Sequence, residues 1–380
     1  MAEVAQTDAE KITHEERKDN IAMSMESGMY YAPKGKPSKV CGEGDFIFAA
    51  AHLDHGHIYG MSSGLIEAGA TLKWVYDPDP KKVEAFVRRF PGVKVARSEE
   101  EIFEDPEVQL VAGAHIASER CALGLRAMDA GKHYFTDKAP LTTLEQLEAA
   151  RKKVRETGKK YAVYYSERIH SECSVFAGQL IEEGAIGRVI QVIGMGPHRE
   201  SPGTRPDWFY DKDKFGGILC DIGSHQIEQF LFYTGARDAT VVNSKVANYA
   251  HKDKPKFEDF GDMTLVADNG ATGYFRLDWF TPNALRTWGD GRTFILGTKG
   301  YIELRKYINI ARDDGGDQVF LANDKVETSF NVRGKVGFPF FGQLILDCLN
   351  GTENAMTQEH AFKAAELSVL AEKNAVCIEA

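Results

Sequence analysis

Three histidines and an aspartate, His52, Asp54, His55 and His57, fall within the stretch AAAHLDHGHIYG (49–60). Imidazoles and a carboxylate so close together suit a divalent metal that activates water for hydrolysis. Such a site needs its ligands to converge, and a turn entering a helix would splay several of them outward. A second chemistry follows from position. The stretch lies between a strand-like run and a helix, where a doubly wound domain places its phosphate-binding turn. Helix N-termini offer free N–H groups and partial positive charge to a pyrophosphate. The nearest fit to G-x-G-x-x-G is Ala51, Leu53 and Gly56. Alanine allows close approach, but Leu53 would crowd a dinucleotide unless the loop is reshaped. On this reading His52 and His55 replace glycine N–H contacts with imidazole donors to the cofactor phosphates.

The nucleotide fingerprint expects an acidic residue about 20 positions downstream, at the end of the second strand. Asp77 of WVYDPDP stands there. A carboxylate would accept the ribose hydroxyls and repel a 2′-phosphate, favouring NAD over NADP. It could equally cap the helix that begins beside Pro78, and Lys81 and Lys82 keep NADP open. Lys138, in YFTDKAPLTTLEQ, falls at the carboxyl end of a strand, in the crevice where such sheets bind ligands. A lysine there can reach a ribose and a substrate oxygen; otherwise it is a salt-bridged loop residue. His115, just beyond the run VQLVAGA, completes a cofactor-facing set of Ala51, His52, Leu53, His55, Asp77, His115 and Lys138. Further on, FGGILCDIGSHQIEQFLFYTG holds Asp221 and His225 four apart. At helical spacing both face one way, so Asp221 is expected to orient His225 and stabilise its protonated form.

The elements that must position these residues alternate regularly from residue 45. Runs such as DFIFAA, TLKWVYD, VQLVAGA, HYFTD and YAVYY are separated by amphipathic segments such as PKKVEAFVRRF and TLEQLEAARKKVRETGK. That alternation predicts a parallel sheet covered on both faces. The expected organisation is an arm over 1–44, a dinucleotide-binding domain over 45–165, and a substrate-binding and oligomerisation domain over 166–380. The arm is read as lying on a neighbouring subunit or on its own first domain. In the last segment, strand-like runs at 188–194, 240–249, 262–267, 271–280, 293–297 and 300–304 predict an α/β domain with a large, mostly antiparallel open sheet. Helical segments near 341–350 and 357–376 close the chain.

Taken together, Asp77, DKAP (137–140), ERIH (167–170), GGILCDIGSHQIE (216–228) and ILGTKGYIEL (295–304) give the chain a resemblance to the glucose–fructose oxidoreductase / inositol dehydrogenase (Gfo/Idh/MocA) family. The resemblance implies hydride transfer between NAD and a carbinol carbon of a sugar, sugar acid or polyol, with assembly into a homodimer or homotetramer. It also implies that Lys138, Asp221 and His225 are catalytic. His225 would take the hydroxyl proton, Lys138 would polarise the reacting oxygen, and Asp221 would orient the substrate or His225. Two departures stand out: the glycine-poor first turn, and Ala139 in place of the family's proline after the lysine. Rival readings within the same sequence are glycoside cleavage by transient oxidation on the same fold, and a metal-dependent hydrolase.

On the substrate side, GPHRESPGTRPDWFYDKDKFGG (196–217) contributes His198, Arg199, Arg205 and Trp208, with Arg168 from ERIH. An aromatic ring for stacking and donors for hydroxyls suit a carbohydrate, and the arginines point to an acidic sugar. The remaining features narrow the class. A net charge of −10 argues against nucleic acid or an anionic membrane as partner. No window reaches the roughly 18 apolar residues of a transmembrane helix. The opening 44 residues show no apolar core behind a basic start, so no secretory signal is expected. Six cysteines without CxxC spacing suit reduced thiols and a cytoplasmic location.

Overall fold

The computed structural model describes residues 39–312 and 315–379. Most of the expected arm, residues 1–38, lies outside the described residues. Its last residues run along the first domain: Val40 N–H bonds Ala68 O at 3.0 Å and Gly44 N–H bonds Thr71 Oγ1 at 2.9 Å.

The first sheet consists of β1 (Ile47–Ala51), β2 (Thr71–Tyr76), β3 (Lys94–Val95), β4 (Leu110–Gly113), β5 (His133–Asp137) and β6 (Tyr161–Tyr164). All pairings are parallel, in the order β3-β2-β1-β4-β5-β6. Alternation along β1 explains why both faces are covered. Phe48 and Ala50 enter one apolar cluster, with Ile58, Leu65 and Phe135; Ala49 and Ala51 enter the other, with Val111, Leu123 and Leu147. Strand order reverses between β1 and β4, which opens a crevice at their carboxyl ends.

The second sheet has nine strands: β7 (Val189–Pro197), β8 (Ala239–Ala247), β9 (Phe260–Ala267), β10 (Thr272–Asp278), β11 (Arg292–Gly297), β12 (Gly300–Arg305), β13 (Gln318–Asn323), β14 (Glu327–Asn331) and β15 (Val376–Ile378). Their order is β14-β13-β12-β11-β7-β10-β9-β8-β15, antiparallel except for β10 with β7 and β15 with β8. Helices Glu172–Glu182, Gly223–Thr234 and Gln358–Lys373 pack on one face. The opposite face leaves Ile193, Tyr274, Phe294 and Tyr301 exposed across adjacent strands. The α/β class and the large, mostly antiparallel second sheet are as expected from the sequence. Strands β13 to β15 were not expected; β14 (ETSFN) is short and polar and carries little apolar signal.

The chain does not keep its two halves apart. Helix Pro339–Asn350 returns to the first sheet and packs Phe340, Phe341, Leu344 and Ile345 against the helix His57–Glu67 and its neighbours. Gly64 makes this approach possible, since a Cβ there would come within 2.3 Å of the Phe341 ring.

Candidate active site

The histidine-rich turn leaves β1 through His52, whose φ of 57° puts it in the left-handed region that non-glycine residues rarely enter. This conformation reshapes the loop. Leu53 turns into the apolar cluster with Ile58, Met61 and Val75 instead of projecting from the turn. Helix His57–Glu67 then begins at Gly56, with no side chain capping its N-terminus.

The four candidate metal ligands separate. His52, Asp54 and His115 form one group, while His55, His57 and Asp137 form another. In the first, His52 stacks on His115 with ring centroids 4.1 Å apart, and His52 Nε2 lies 2.6 Å from Glu99 Oε2. Asp54 holds His115 Nδ1 at 2.7 Å and Lys82 Nζ at 2.6 Å. In the second, Asp137 holds His57 Nδ1 at 2.7 Å, His55 Nδ1 at 3.0 Å and Arg120 at 3.2 Å. Lys82 and Arg120 thus supply the positive charge that a cation would bring to either carboxylate. The single four-ligand cluster is overturned by this divergence.

The shared phosphate role expected of His52 and His55 also needs correction. His52 remains beside the turn, with a buried Nδ1 that has no partner among the described residues. His55 is buried, bonded to Asp137, and lines the pocket that holds Lys138 and His225. Asp77 shapes the turn itself: it accepts Leu53 N–H at 2.6 Å and Asp79 N–H at 2.8 Å, and its side chain is only 1% exposed. The ribose contact expected of it would use the acceptor capacity that these two bonds leave on the carboxylate. Even so, the turn fits a dinucleotide. An uncapped helix N-terminus lies at the sheet's switch point, Ala51 ends β1, and Lys82, His115 and the unpartnered His52 Nδ1 surround the loop.

Lys138 follows β5, and the Lys138–Ala139 peptide is cis. Arg120, fully buried, donates to the carbonyls of Lys138 and Ala139 and to Asp137. Lys138 Nζ reaches Asp221 Oδ1 at 2.5 Å across the crevice. Burial alone would raise the Asp221 carboxyl, but the Lys138 ammonium holds it below the usual range. The expected Asp221–His225 pair is therefore absent. Ile222 separates the turn Ile218–Asp221 from the helix Gly223–Thr234, and the carboxylate is drawn to Lys138 instead. His225 Nδ1 has no partner among the described residues. Burial pushes this imidazole down to about 3, opposed by the negative charge of Glu167.

His225 shares its pocket with His55, His57, Lys138, Glu167, His198, Arg205, Trp279, Trp288 and Tyr307. His198 donates through Nδ1 to Gly196 O at 3.1 Å, and its ring lies against Trp279 and Trp288. Three expected substrate residues lie elsewhere. Arg168 is ion-paired with Glu228 at 2.5 Å and stacked on Phe232. Arg199 donates to the carbonyls of Pro282, Leu285 and Thr287, tying down that loop. Trp208 packs in the core beside Phe209. In each case burial captured a polar or aromatic group for structure. The pocket tryptophans, Trp279 and Trp288, come from chain just past β10, and nothing in their local sequence marks them as convergent with Lys138.

Four buried histidines share an electrostatic consequence. Burial holds His55 and His225 at about 3, and His133 and His198 at about 4. Unfolded, each titrates near 6.5. As pH falls below that value the unfolded chain binds protons that the fold refuses, so stability declines by up to about 1.4 kcal/mol per pH unit for each group. Glu167 and Glu228, held at about 2, add their loss only below the unfolded carboxylate range of about 4.3. The thermal midpoint, followed by calorimetry, is expected to fall steadily between pH 6.5 and 4.5. A flat midpoint over that interval would mean that the fold accepts these protons.

Residues 40–165 match the family model "Oxidoreductase family, NAD-binding Rossmann fold", and residues 175–303 match "GFO/IDH/MocA C-terminal domain". The first of these matches places the parallel-sheet domain among the NAD-binding Rossmann folds of an oxidoreductase family. The chain belongs to the Gfo/Idh/MocA family. It is 27% identical over 240 residues to scyllo-inositol 2-dehydrogenase (NAD(+)) of Bacillus subtilis (strain 168), covering 62% of this chain and 66% of that one. It is 26% identical over 183 residues to D-xylose dehydrogenase of Paenarthrobacter nicotinovorans, covering 47% and 46%. The chain therefore spans about half to two thirds of the length of these curated relatives. A structure from Erwinia carotovora atroseptica SCRI1043, named only as an oxidoreductase, superposes with a TM-score of 0.86 at 53% identity, covering 88% of this chain and 100% of that one. Levoglucosan dehydrogenase in complex with NADH and levoglucosan shares the fold, with a TM-score of 0.71 at 19% identity over 87% and 98% of the two chains.

Proposed function

We propose that the protein is a dehydrogenase acting on the CH–OH group of a sugar or polyol, with a nicotinamide dinucleotide as hydride acceptor. One observation carries this reading: Lys138, which follows the first sheet's β5, and His225, from the helix Gly223–Thr234 packed on the second sheet, line a single pocket at the carboxyl edge of the dinucleotide-type sheet. When bound, the nicotinamide supplies the site that accepts a hydride. The chain's own residues manage the proton and the oxygen. Lys138, steered by Asp221, polarises the reacting oxygen, and neutral His225 takes the hydroxyl proton as the carbon loses its hydride. The turn 51–56, with Lys82 and His115, holds the phosphates.

The same reading places the chain in a reducing, cytoplasmic compartment, supported by six free thiols. Among the described residues no helix is long and apolar enough to cross a membrane. Assembly into a homodimer or homotetramer is supported by the exposed Ile193, Tyr274, Phe294 and Tyr301 on the open sheet face. A screen of hexoses, pentoses and inositols with NAD and NADP, followed at the absorbance of the reduced nicotinamide, tests the activity. Turnover with at least one polyol is expected, and inertness towards all of them with either cofactor refutes it.

A further inference from the structure

Glu167 follows β6 in the short helical turn Ser166–Ile169 and is buried against the pocket. Its Oε2 is fully engaged, accepting Gln226 Nε2 at 2.8 Å and Lys306 Nζ at 2.9 Å. Lys306 has no exposed side-chain surface and also donates to Gln229 Oε1 at 2.6 Å. Gln229 in turn donates to His225 O at 2.9 Å, so this network reaches the helix that carries His225. The second oxygen, Oε1, is buried with no partner among the described residues. A buried carboxylate satisfied on one side only calls for a donor on the other. Trp279, on the same pocket wall, likewise has a buried Nε1–H without an acceptor.

The arginines that pointed to an acidic sugar are otherwise employed. Arg168 and Arg199 lie outside the pocket lining. Arg205 lines it but lies flat over Phe209 and Trp279, with Nε donating to Glu200 O at 2.6 Å. The lysine of the lining, Lys138, is matched by Asp221, and Lys306, buried behind the lining, is matched by Glu167. A ligand carboxylate would meet Glu167 without a free cation to compensate, whereas a hydroxyl would donate to it.

Resting on the dehydrogenase reading, we infer that Glu167 Oε1 accepts a hydrogen bond from a substrate hydroxyl and selects neutral polyhydroxy compounds over their carboxylate counterparts. Lys306 is a positioning residue that fixes the Glu167 carboxylate.

The test is calorimetric titration of the NADH-loaded full chain with myo-inositol, D-glucose and D-glucuronate, run beside turnover of the same compounds. The neutral ligands are expected to bind at least 10-fold more tightly than the uronate. Glu167→Gln should erase that preference while NADH affinity is unchanged. If Glu167→Gln does not fold, Glu167→Asp, which keeps the charge but shortens the reach, should weaken the neutral ligands and still disfavour the uronate. Equal binding of neutral and acidic ligands by the wild type, or a preference that survives Glu167→Gln, overturns the inference. Binding preference together with inertness across the hexose, pentose and inositol screen with either cofactor would sink the dehydrogenase reading while leaving the role of Glu167 intact.

Discussion

His225→Ala is expected to lower turnover with the true substrate at least 100-fold, within the range of about 10²–10⁴ that a positioned general base contributes. NADH affinity should persist, because the phosphate-binding turn and Lys138 are untouched. The expectation rests on two features of the pocket. The imidazole is 1% exposed, so no solvent base replaces it readily, and it faces the same pocket as Lys138 from the helix Gly223–Thr234. Burial keeps it neutral down to about 3, so it is ready to accept a proton throughout the neutral range. A base held that low is weak by itself. Proton uptake therefore has to accompany hydride departure, with the negative charge of Glu167 favouring the imidazolium. For the same reason, the pH profile of kcat/KM in the wild type should show no inflection near 6.5 from this residue. Stopped-flow and steady-state rates of the variant check the first claim. A loss of less than 10-fold would place proton removal on another group.

The parts of this site that could be read from the sequence are those fixed by strand ends. Lys138 and the Rossmann order follow from local alternation, because a residue that ends a parallel strand must lie at the crevice. The Asp221–His225 pairing failed because Lys138, 83 residues away in sequence, draws the Asp221 carboxylate across the crevice. Long-range capture accounts for the rest. Arg168 meets Glu228 60 residues away, and Glu167 meets Lys306 139 residues away. No periodicity within either segment encodes such partners. The histidine-rich turn divides for a similar reason: His52 leaves β1 with a positive φ, so neighbouring imidazoles turn to carboxylates on different elements, Glu99 and Asp137.

Arg120→Met is expected to cost about 3–5 kcal/mol, the range for removing one partner from a buried ion pair. That is a large share of the 5–15 kcal/mol available to a typical domain. Arg120 is 1% exposed and is the guanidinium that ties β5 to the loop carrying Lys138. Methionine matches much of its apolar stem but satisfies neither carbonyl, and Asp137 would keep only its two histidines and the Lys138 N–H. The urea midpoint should drop with the m-value unchanged. Arg120→Lys, which restores the charge but not the fork of donors, should recover only part of the stability. If Arg120→Met unfolds at the wild-type urea concentration, the clamp contributes no net stability and the loop must be held by its own backbone.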